Sequence, residues 1–276
     1  LAFNDQGAHA SLSLAGLRSN QPGEDRADDR LDVWLETEAS HVRIDGRKGD
    51  FQIAYLGADW LVSPNLLIGG LVQYDNLAWK GPLLAGEADG HGWMAGPYLT
   101  TRISEDLYAD VRAAWGKSTN QVSPLGTWTD NFETDRALYV GSLTGEFSLD
   151  GSTHLRPTLS VRYMKESQLA YADRYNVRVN GQVVDQGDVS LAPRIYRDVP
   201  ITTSWTLRPY AEAEAIVSFG VPKDLDFGNG TRGRFKVGAD LTSENGVRAS
   251  LGIFEDGTGA DNYHSRGFDL SFSMAF

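Results

Sequence analysis

The stretch Ser265-Arg-Gly-Phe-Asp-Leu-Ser-Phe-Ser-Met-Ala-Phe276 decides the fold, because its side chains alternate strictly. Apolar residues occupy every second position from Phe268 to Phe276, and polar or small residues lie between them. A period of two predicts a β-strand with one apolar face and one polar face. Such a strand fits both the edge of a soluble sheet and the wall of a transmembrane barrel. The rest of the chain has to separate these two folds.

Composition excludes several classes of protein. The 276 residues include no cysteine, which removes disulfide scaffolds, thiolate zinc sites and thiol catalysis. The net charge of −12 argues against a nucleic-acid partner, which would require a basic face. Mean hydropathy is −0.33 and no run of 18 apolar residues occurs, so a transmembrane helix is excluded. A membrane barrel is still possible, because only half of each strand has to be apolar.

Twelve short segments alternate in this way from Leu31 onward, and their connections are sorted by length. Short connections follow every second segment, at 63–65, 104–106, 150–152, 202–204 and 243–246. The others are longer, except the first one near Asp45: we expect them at 79–92, 117–130, 222–229 and 255–262, with Asn180-Gly181 at the tip of a tall hairpin. Short turns on one side and long loops on the other are typical of outer-membrane barrels, whose short turns are periplasmic.

Charged side chains share the non-apolar face of these segments. A barrel of twelve strands encloses more space than its own side chains fill, so the polar face is expected to line the lumen and the apolar face to meet lipid. The sequence therefore predicts an all-β protein, a 12-stranded antiparallel transmembrane β-barrel of the outer membrane. The predicted lumen-facing charges are Glu36, Glu38, Asp59, Asp75, Asp110, Arg112, Arg156, Arg162, Arg208, Glu212, Glu214 and Arg234.

Tryptophans flank the ends of the predicted strands. Trp60 and Trp205 lie beside short turns, and Trp79, Trp93 and Trp115 lie near longer connections. Indoles at both strand ends predict the aromatic girdles that barrels place at the two membrane interfaces. Ordinary core packing of these rings is the alternative.

The first 30 residues differ from the rest of the chain. Leu12, Leu14 and Leu17 form only a partial helical stripe, and a polar stretch with a Pro22-Gly23 turn follows. We interpret 1–30 as a linker, which either forms a lumenal helix or stays a disordered leader, and 31–276 as the barrel. About 20 helical residues would span the roughly 30 Å of a bilayer core. Because the chain starts at Leu1 without a signal peptide, we expect it to be a piece of a longer exported precursor.

Over residues 31–276 the chain resembles the C-terminal translocator domain of classical autotransporters, the proteins of type V secretion. The resemblance rests on the strand number, on Asp32-Val33-Trp34-Leu35-Glu36 and on the terminal strand, whose Ser265, Gly267, Leu270, Phe272 and Phe276 fit the assembly signal of that family. It implies a protein of the Gram-negative outer membrane that assists export of its own N-terminal passenger. The implied partners are outer-membrane lipid and lipopolysaccharide, periplasmic chaperones, and the β-barrel assembly machinery, which would recognise the last strand. The barrel is expected to be monomeric.

Enzymatic activity is not expected. Some autotransporters cleave their own linker with lumenal carboxylates and a linker asparagine, so Asn4 or Asn20 would be the target here. A lipase or protease would need a histidine beside a serine nucleophile, but Ser40 and His41 are strand neighbours and face opposite sides. No spacing of histidines and carboxylates predicts a metal site, and no cofactor is expected. A stand-alone pore, or an adhesin that acts through its extracellular loops, is the alternative function.

The terminal strand generates the first prediction. Deleting Phe276, or replacing Gly267 with a bulky charged residue, should reduce assembly into the outer membrane more than it reduces the stability of the folded barrel. Immunoblots of separated outer membranes measure assembly, and unfolding of the purified protein measures stability. Normal outer-membrane levels of both variants would contradict the prediction.

Overall fold

The computed structural model describes residues 31–44, 47–80, 87–123, 128–220 and 230–275. The predicted linker (1–30) and Phe276 lie outside the described residues. No helix in these ranges is long and apolar enough to cross a membrane. The strands are β1 (Leu31–Ile44), β2 (Arg47–Ser63), β3 (Leu66–Lys80), β4 (Glu87–Ser104), β5 (Leu107–Ser123), β6 (Asp130–Gly145), β7 (Thr153–Gln168), β8 (Gln182–Arg197), β9 (Trp205–Phe219), β10 (Thr231–Ser243), β11 (Val247–Thr258) and β12 (Tyr263–Ala275). Two-residue strands also occur at Phe147–Ser148, Tyr171–Ala172, Arg178–Val179 and Val199–Pro200.

The twelve long strands form one closed antiparallel barrel. Each strand pairs with its neighbours in chain order, and β12 pairs with β1 from Asp32 opposite Ala275 to Ile44 opposite Tyr263. Closure leaves no edge strand whose backbone N–H and C=O groups lack partners. The predicted twelve-stranded barrel is confirmed.

The outer face of the barrel is apolar. Register places Phe272, Leu35, Leu56 and Val72 side by side on four neighbouring strands, and these side chains are 46, 46, 56 and 52% exposed. Glu36, which follows Leu35 on β1, points inward and is 3% exposed. The alternation in the sequence therefore corresponds to an apolar outside and a largely polar inside.

The residues of the predicted assembly signal lie on both faces of the terminal strand β12. Leu270 and Phe272 are exposed on the outside, and Ser265 is buried on the inside. At Gly267, also on the inner side, a Cβ atom would overlap the Ala39 carbonyl oxygen and lie 2.6 Å from Cζ of Phe254. Gly267 therefore has a packing role in the folded barrel, in addition to the role predicted in assembly.

Three of the predicted long connections are shorter in the structure, and the one expected at 255–262 is reduced to 259–262. The one expected at 79–92 shrinks to 81–86, and the one expected at 117–130 shrinks to 124–129. The extra residues continue the hydrogen-bonded ladders, for example with Glu87 opposite both Lys80 and Ser123. Polar, glycine-rich strand ends resemble loops in sequence because no apolar face marks them.

The Asn180-Gly181 pair is not a hairpin tip, which corrects another prediction. The tip is at 173–177, where Oδ1 of Asp173 accepts hydrogen bonds from the backbone N–H of Tyr175 (2.9 Å) and Val177 (2.7 Å). Asn176 takes a positive φ of 61° there. An aspartate that accepts backbone N–H groups makes this turn without glycine.

The short turn between β6 and β7 is organised by one carboxylate. Oδ1 of Asp150 accepts hydrogen bonds from the backbone N–H of Ser152 (2.8 Å) and Thr153 (2.7 Å). These donors favour the charged form and lower the pKa of Asp150 to about 2. The turn therefore keeps its anionic acceptor through the whole neutral range.

Close packing of aromatic rings on glycines holds neighbouring strands together inside the barrel. The Trp34 indole of β1 lies on Gly57 of β2, and the Tyr98 ring of β4 lies on Gly69 of β3, so that a Cβ atom at either glycine would overlap the ring. Gly70, on the outer face, has only the Gly96 carbonyl oxygen within 4 Å of its Cβ position, at 3.9 Å.

This contrast between glycines gives a matched test. Gly57→Val should destabilise the barrel by about 1–3 kcal/mol, the usual cost of overpacking. Gly70→Val, whose side chain enters open space, should leave stability within about 0.5 kcal/mol. Urea unfolding of the refolded proteins in detergent, followed by tryptophan fluorescence, measures both. Equal stabilities of the two variants would refute the packing role of Gly57.

Candidate functional site

The predicted lumenal charges all lie on the inward face of their strands. Eight are buried and four are partly buried. The buried ones are Glu36, Glu38, Asp59, Asp75, Asp110, Arg112, Arg156 and Arg234, and the partly buried ones are Arg162, Arg208, Glu212 and Glu214.

The longest charged network crosses six consecutive strands, β7 to β12, near the ends that the long loops join. Arg162 pairs with Asp188, and Ser218 Oγ donates to Asp188 Oδ1 (2.6 Å) and accepts from Arg232 Nη1 (2.6 Å). Arg232 Nε in turn lies 3.2 Å from Oδ1 of Asp256, whose Oδ2 accepts from the Tyr263 hydroxyl at 3.2 Å. Opposite charges alternate around this wall, so each carboxylate lies beside a cation.

A second set of ion pairs spans the seam where β12 closes on β1. Arg234 of β10 lies 3.4 Å from Glu38 of β1, and Arg248 of β11 lies 3.5 Å from Asp32 of β1. The Arg234 guanidinium also lies 3.7 Å from the centroid of the Phe254 ring, which packs on Gly267. Side chains of β10 and β11 thus reach across β12 and reinforce the backbone pairing at the seam.

One buried pair crosses the opposite wall. Nη1 of Arg136 on β6 lies 2.7 and 3.0 Å from the two carboxylate oxygens of Asp75 on β3, and both side chains are 1% exposed. The guanidinium passes over Gly92 of β4, where any Cβ atom would collide with it. The Gln73 amide adds a hydrogen bond to Asp75 at 3.2 Å.

The wall formed by β1–β5 also carries an inward apolar cluster, which the sequence did not predict. Its members are Trp34, Phe51, Ile53, Tyr55, Leu67, Leu71, Leu77, Tyr98 and Tyr108. Within it, Trp34 Nε1 donates to the Tyr98 hydroxyl (2.7 Å), and that hydroxyl donates to Asp59. The barrel interior is therefore not uniform: on β1–β5 buried charges such as Asp59 and Asp75 lie among aromatic and aliphatic side chains, and on β7–β12 ion pairs predominate.

The barrel architecture is found in a known protein family. The family model of the autotransporter beta-domain matches residues 33–254. The chain belongs to this family. Autotransporter beta-domains are outer-membrane barrels of Gram-negative bacteria that carry an N-terminal passenger, and this chain is a translocator domain of that kind.

Solved autotransporter barrels share the fold of this chain. The beta domain of the Bordetella autotransporter BrkA is 18% identical, with a TM-score of 0.77 over 90% of this chain and 100% of that chain. The translocator domain of NalP from Neisseria meningitidis is 16% identical, with a TM-score of 0.68 over 98% of this chain and 96% of that one. The transport unit of AIDA-I from Escherichia coli is 15% identical, with a TM-score of 0.68 over 97% of this chain and 98% of that one. No curated protein matches the chain.

The predicted tryptophan girdle of this autotransporter domain needs one correction. Trp60, Trp93 and Trp115 are about half exposed on the outer face, and Trp205 is partly buried on the same face. Trp79 instead points inward, on the same side of β3 as Leu77, and packs against the apolar cluster. Trp79 follows Leu77 by two residues, and this spacing places both side chains on the same face of a strand. Because a long loop was predicted to begin at Trp79, its inward position was missed.

Several lumenal charges of the autotransporter domain were missed in the sequence. Arg232 and Asp256 lie at strand ends beside or within predicted loops. Arg136 shares its inward row with Leu138, so no apolar–polar contrast marked its face. Among the described residues, no group of three or more histidine, aspartate or glutamate side chains is arranged to hold a metal ion. Asn4 and Asn20 lie outside the described residues.

The Arg136–Asp75 pair gives the next prediction. Arg136→Met should destabilise the domain by about 3–5 kcal/mol, because it removes one partner of a buried ion pair and leaves the Asp75 carboxylate buried. Adding Asp75→Asn should recover part of that loss, because a neutral amide then replaces the carboxylate that was left unpaired. Lys117→Met is the control, since its pair with Asp135 is exposed and 3.8 Å long, worth about 0–1 kcal/mol. Denaturant unfolding curves of the unsubstituted chain and of these three variants measure the losses of stability. A loss in Arg136→Met no larger than in Lys117→Met would contradict the prediction.

Proposed function

We propose that this barrel anchors in the outer membrane and lets its N-terminal passenger pass to the cell surface, with residues 1–30 as the linker inside the lumen. Residues 31–276 form the anchor. The proposal includes no catalytic step, no metal and no cofactor, and its barrel acts as a monomer.

The position of the chain ends supports the proposal most directly. The first strand starts at Leu31, and register places Asp32 opposite Ala275, so the described chain starts and stops at the same end of the barrel. This is the end that carries the short turns, which are periplasmic in barrels of this kind. A passenger joined before residue 31 can therefore reach the other side only by crossing the membrane, and the closed lumen is a route that avoids lipid.

The ionic side of the lumen suits a polar linker. The predicted linker contains Glu24, Asp25, Arg26, Asp28 and Asp29, and the wall from β7 to β12 presents both signs of charge. A single exposed ion pair is worth about 0–1 kcal/mol. Several weak contacts along the lumen would hold the linker and still allow a passenger segment to move past.

The outer surface suits the proposed partners. The apolar rows that include Leu35 and Phe272 would meet lipid, and the outward Trp60, Trp93 and Trp115, with the partly buried Trp205, are the residues proposed for the two interfaces. The terminal strand, with exposed Leu270 and Phe272 on its outer face, is the segment that the assembly machinery would read after periplasmic chaperones deliver the chain. Lipopolysaccharide would meet the long-loop end of the same surface.

A display experiment tests the proposal. The chain is produced with a secretion signal and an epitope-tagged passenger segment placed before Leu1, in a Gram-negative host. External protease should remove the epitope from intact cells, because export places it outside. In matched proteins without the passenger, an epitope inserted at Asn245, in a short turn, should stay protected, and one inserted within 221–229 should be accessible.

The contrary outcome favours the alternative function. A passenger epitope that stays protected while the loop epitope is accessible would sink the translocation proposal. Single-channel conductance of the same purified barrel in a planar bilayer would then indicate a stand-alone pore.

A further inference from the structure

A row of basic side chains crosses four neighbouring strands on the outer face of the barrel. Register places His264 of β12 opposite Arg43 of β1, Arg43 opposite Lys48 of β2, and Lys48 opposite Lys80 of β3. All four side chains share the outward face of their strands, and Arg43, Lys48 and Lys80 are exposed. We call Arg43, Lys48, Lys80 and His264 the cationic row.

By itself, such a row destabilises the folded barrel. Like charges directly opposite each other on one face of a sheet are destabilising, because their Cβ atoms are only about 4.5–5.5 Å apart. Arg43, Lys48 and Lys80 form no ion pair with any of the described residues, although Glu87 stands opposite Lys80, and His264 lies 3.8 Å from Glu255. The unpaired charges of the row would be stabilised by an anion from outside the chain.

Among the described residues, the wall formed by β5–β8 does not have this pattern. On the wall formed by β5–β8, Lys117 pairs with Asp135 at 3.8 Å, and Lys165 of β7 is opposite Asp185 of β8. Lys117 and Lys165 therefore each have a carboxylate opposite them, whereas Arg43 and Lys48 have basic residues opposite them on both neighbouring strands. Between these two walls, the excess of positive charge lies on the four strands around the seam.

Height along the barrel places the row just beyond the lipid tails. Arg43 lies twelve residues along β1 from Leu31, the first residue of the outer apolar surface. At about 3.4 Å per residue and a strand tilt of about 40°, this distance is roughly 30 Å along the barrel axis. The apolar band of such barrels is about 25 Å tall, so the row stands at headgroup level on the side of the long loops.

We propose that the cationic row binds the phosphate groups of a phosphorylated glycolipid of the outer leaflet, whose acyl chains lie against the apolar rows below. Arginine and lysine are the side chains that bind phosphate best. The next outward positions towards the short turns hold Arg266, His41, Asp50 and Ala78, and the apolar rows with Phe268, Leu270 and Leu35 that follow provide the complementary contact for acyl chains. The proposal rests on the outer-membrane placement of the barrel with its long loops outside, but not on export of a passenger.

Binding of purified lipids to the full chain in detergent micelles tests the proposal. Native mass spectrometry counts the lipid bound in titrations with bis-phosphorylated lipid A, with the same lipid A after removal of its phosphates, and with phosphatidylglycerol. The test variant is Lys48→Gln/Lys80→Gln, and the control is Lys117→Gln/Lys165→Gln, which also removes two outward lysines. Losing the two charges of the row should weaken binding of phosphorylated lipid A about thirtyfold, and the control should lose less than about threefold.

A second readout separates lipid binding from a structural role. Without lipid A, Lys48→Gln/Lys80→Gln should unfold in urea at the same or a higher midpoint than the unsubstituted chain, because a repulsion has been removed. A lower midpoint would overturn the proposal. So would equal losses of lipid A binding in the two variants, or binding of dephosphorylated lipid A or phosphatidylglycerol as tight as that of phosphorylated lipid A. Passenger display is measured independently, so a failure here leaves the translocation proposal unchanged.

Discussion

Backbone pairing between β1 and β12 is the interaction on which the rest of the barrel depends. In hydrocarbon no water is available to backbone N–H and C=O groups, so a sheet can span a membrane only when it has no open edge. The two strands meet over thirteen residue pairs, from Asp32 opposite Ala275 to Ile44 opposite Tyr263. Once the ring is closed, each strand has one face towards lipid and one towards the lumen. The alternating side chains then form an apolar outer surface and a largely polar inner one.

Closure also explains why side chains support the seam in addition to the backbone ladder. Arg248 reaches a carboxylate of β1 from two strands away and Arg234 from three, while the Phe254 ring packs on Gly267 and lies below Arg234. A seam joins the two ends of the sequence, so its loop-closure entropy is the largest in the chain. Inward ion pairs and ring packing therefore stabilise the seam in addition to its backbone hydrogen bonds, where the entropy cost of closure is largest.

The lumen combines two environments with different consequences. The ionic wall from β7 to β12 favours polar contents, and the wall from β1 to β5 packs its rings and aliphatic side chains against one another. The cationic row lies outside the ring on strands that border the seam, so lipid would support the same region from the other side.

The alternation of residues was enough to predict the strand number, the outward apolar rows and the ends at which the short turns lie, since each depends on a period of two and on turn residues close in the chain. It also predicted that Glu38, Asp75 and Arg234 lie on the inner face. The three-dimensional fold was needed to show that Arg136 reaches Asp75 over two intervening strands, that Trp79 turns inward and that Arg43, Lys48 and Lys80 form one row. Those facts depend on the register between strands and on barrel curvature, which bring together residues far apart in sequence. Alternation alone shows on which face of the sheet a residue lies, but not which residue lies beside it on the next strand.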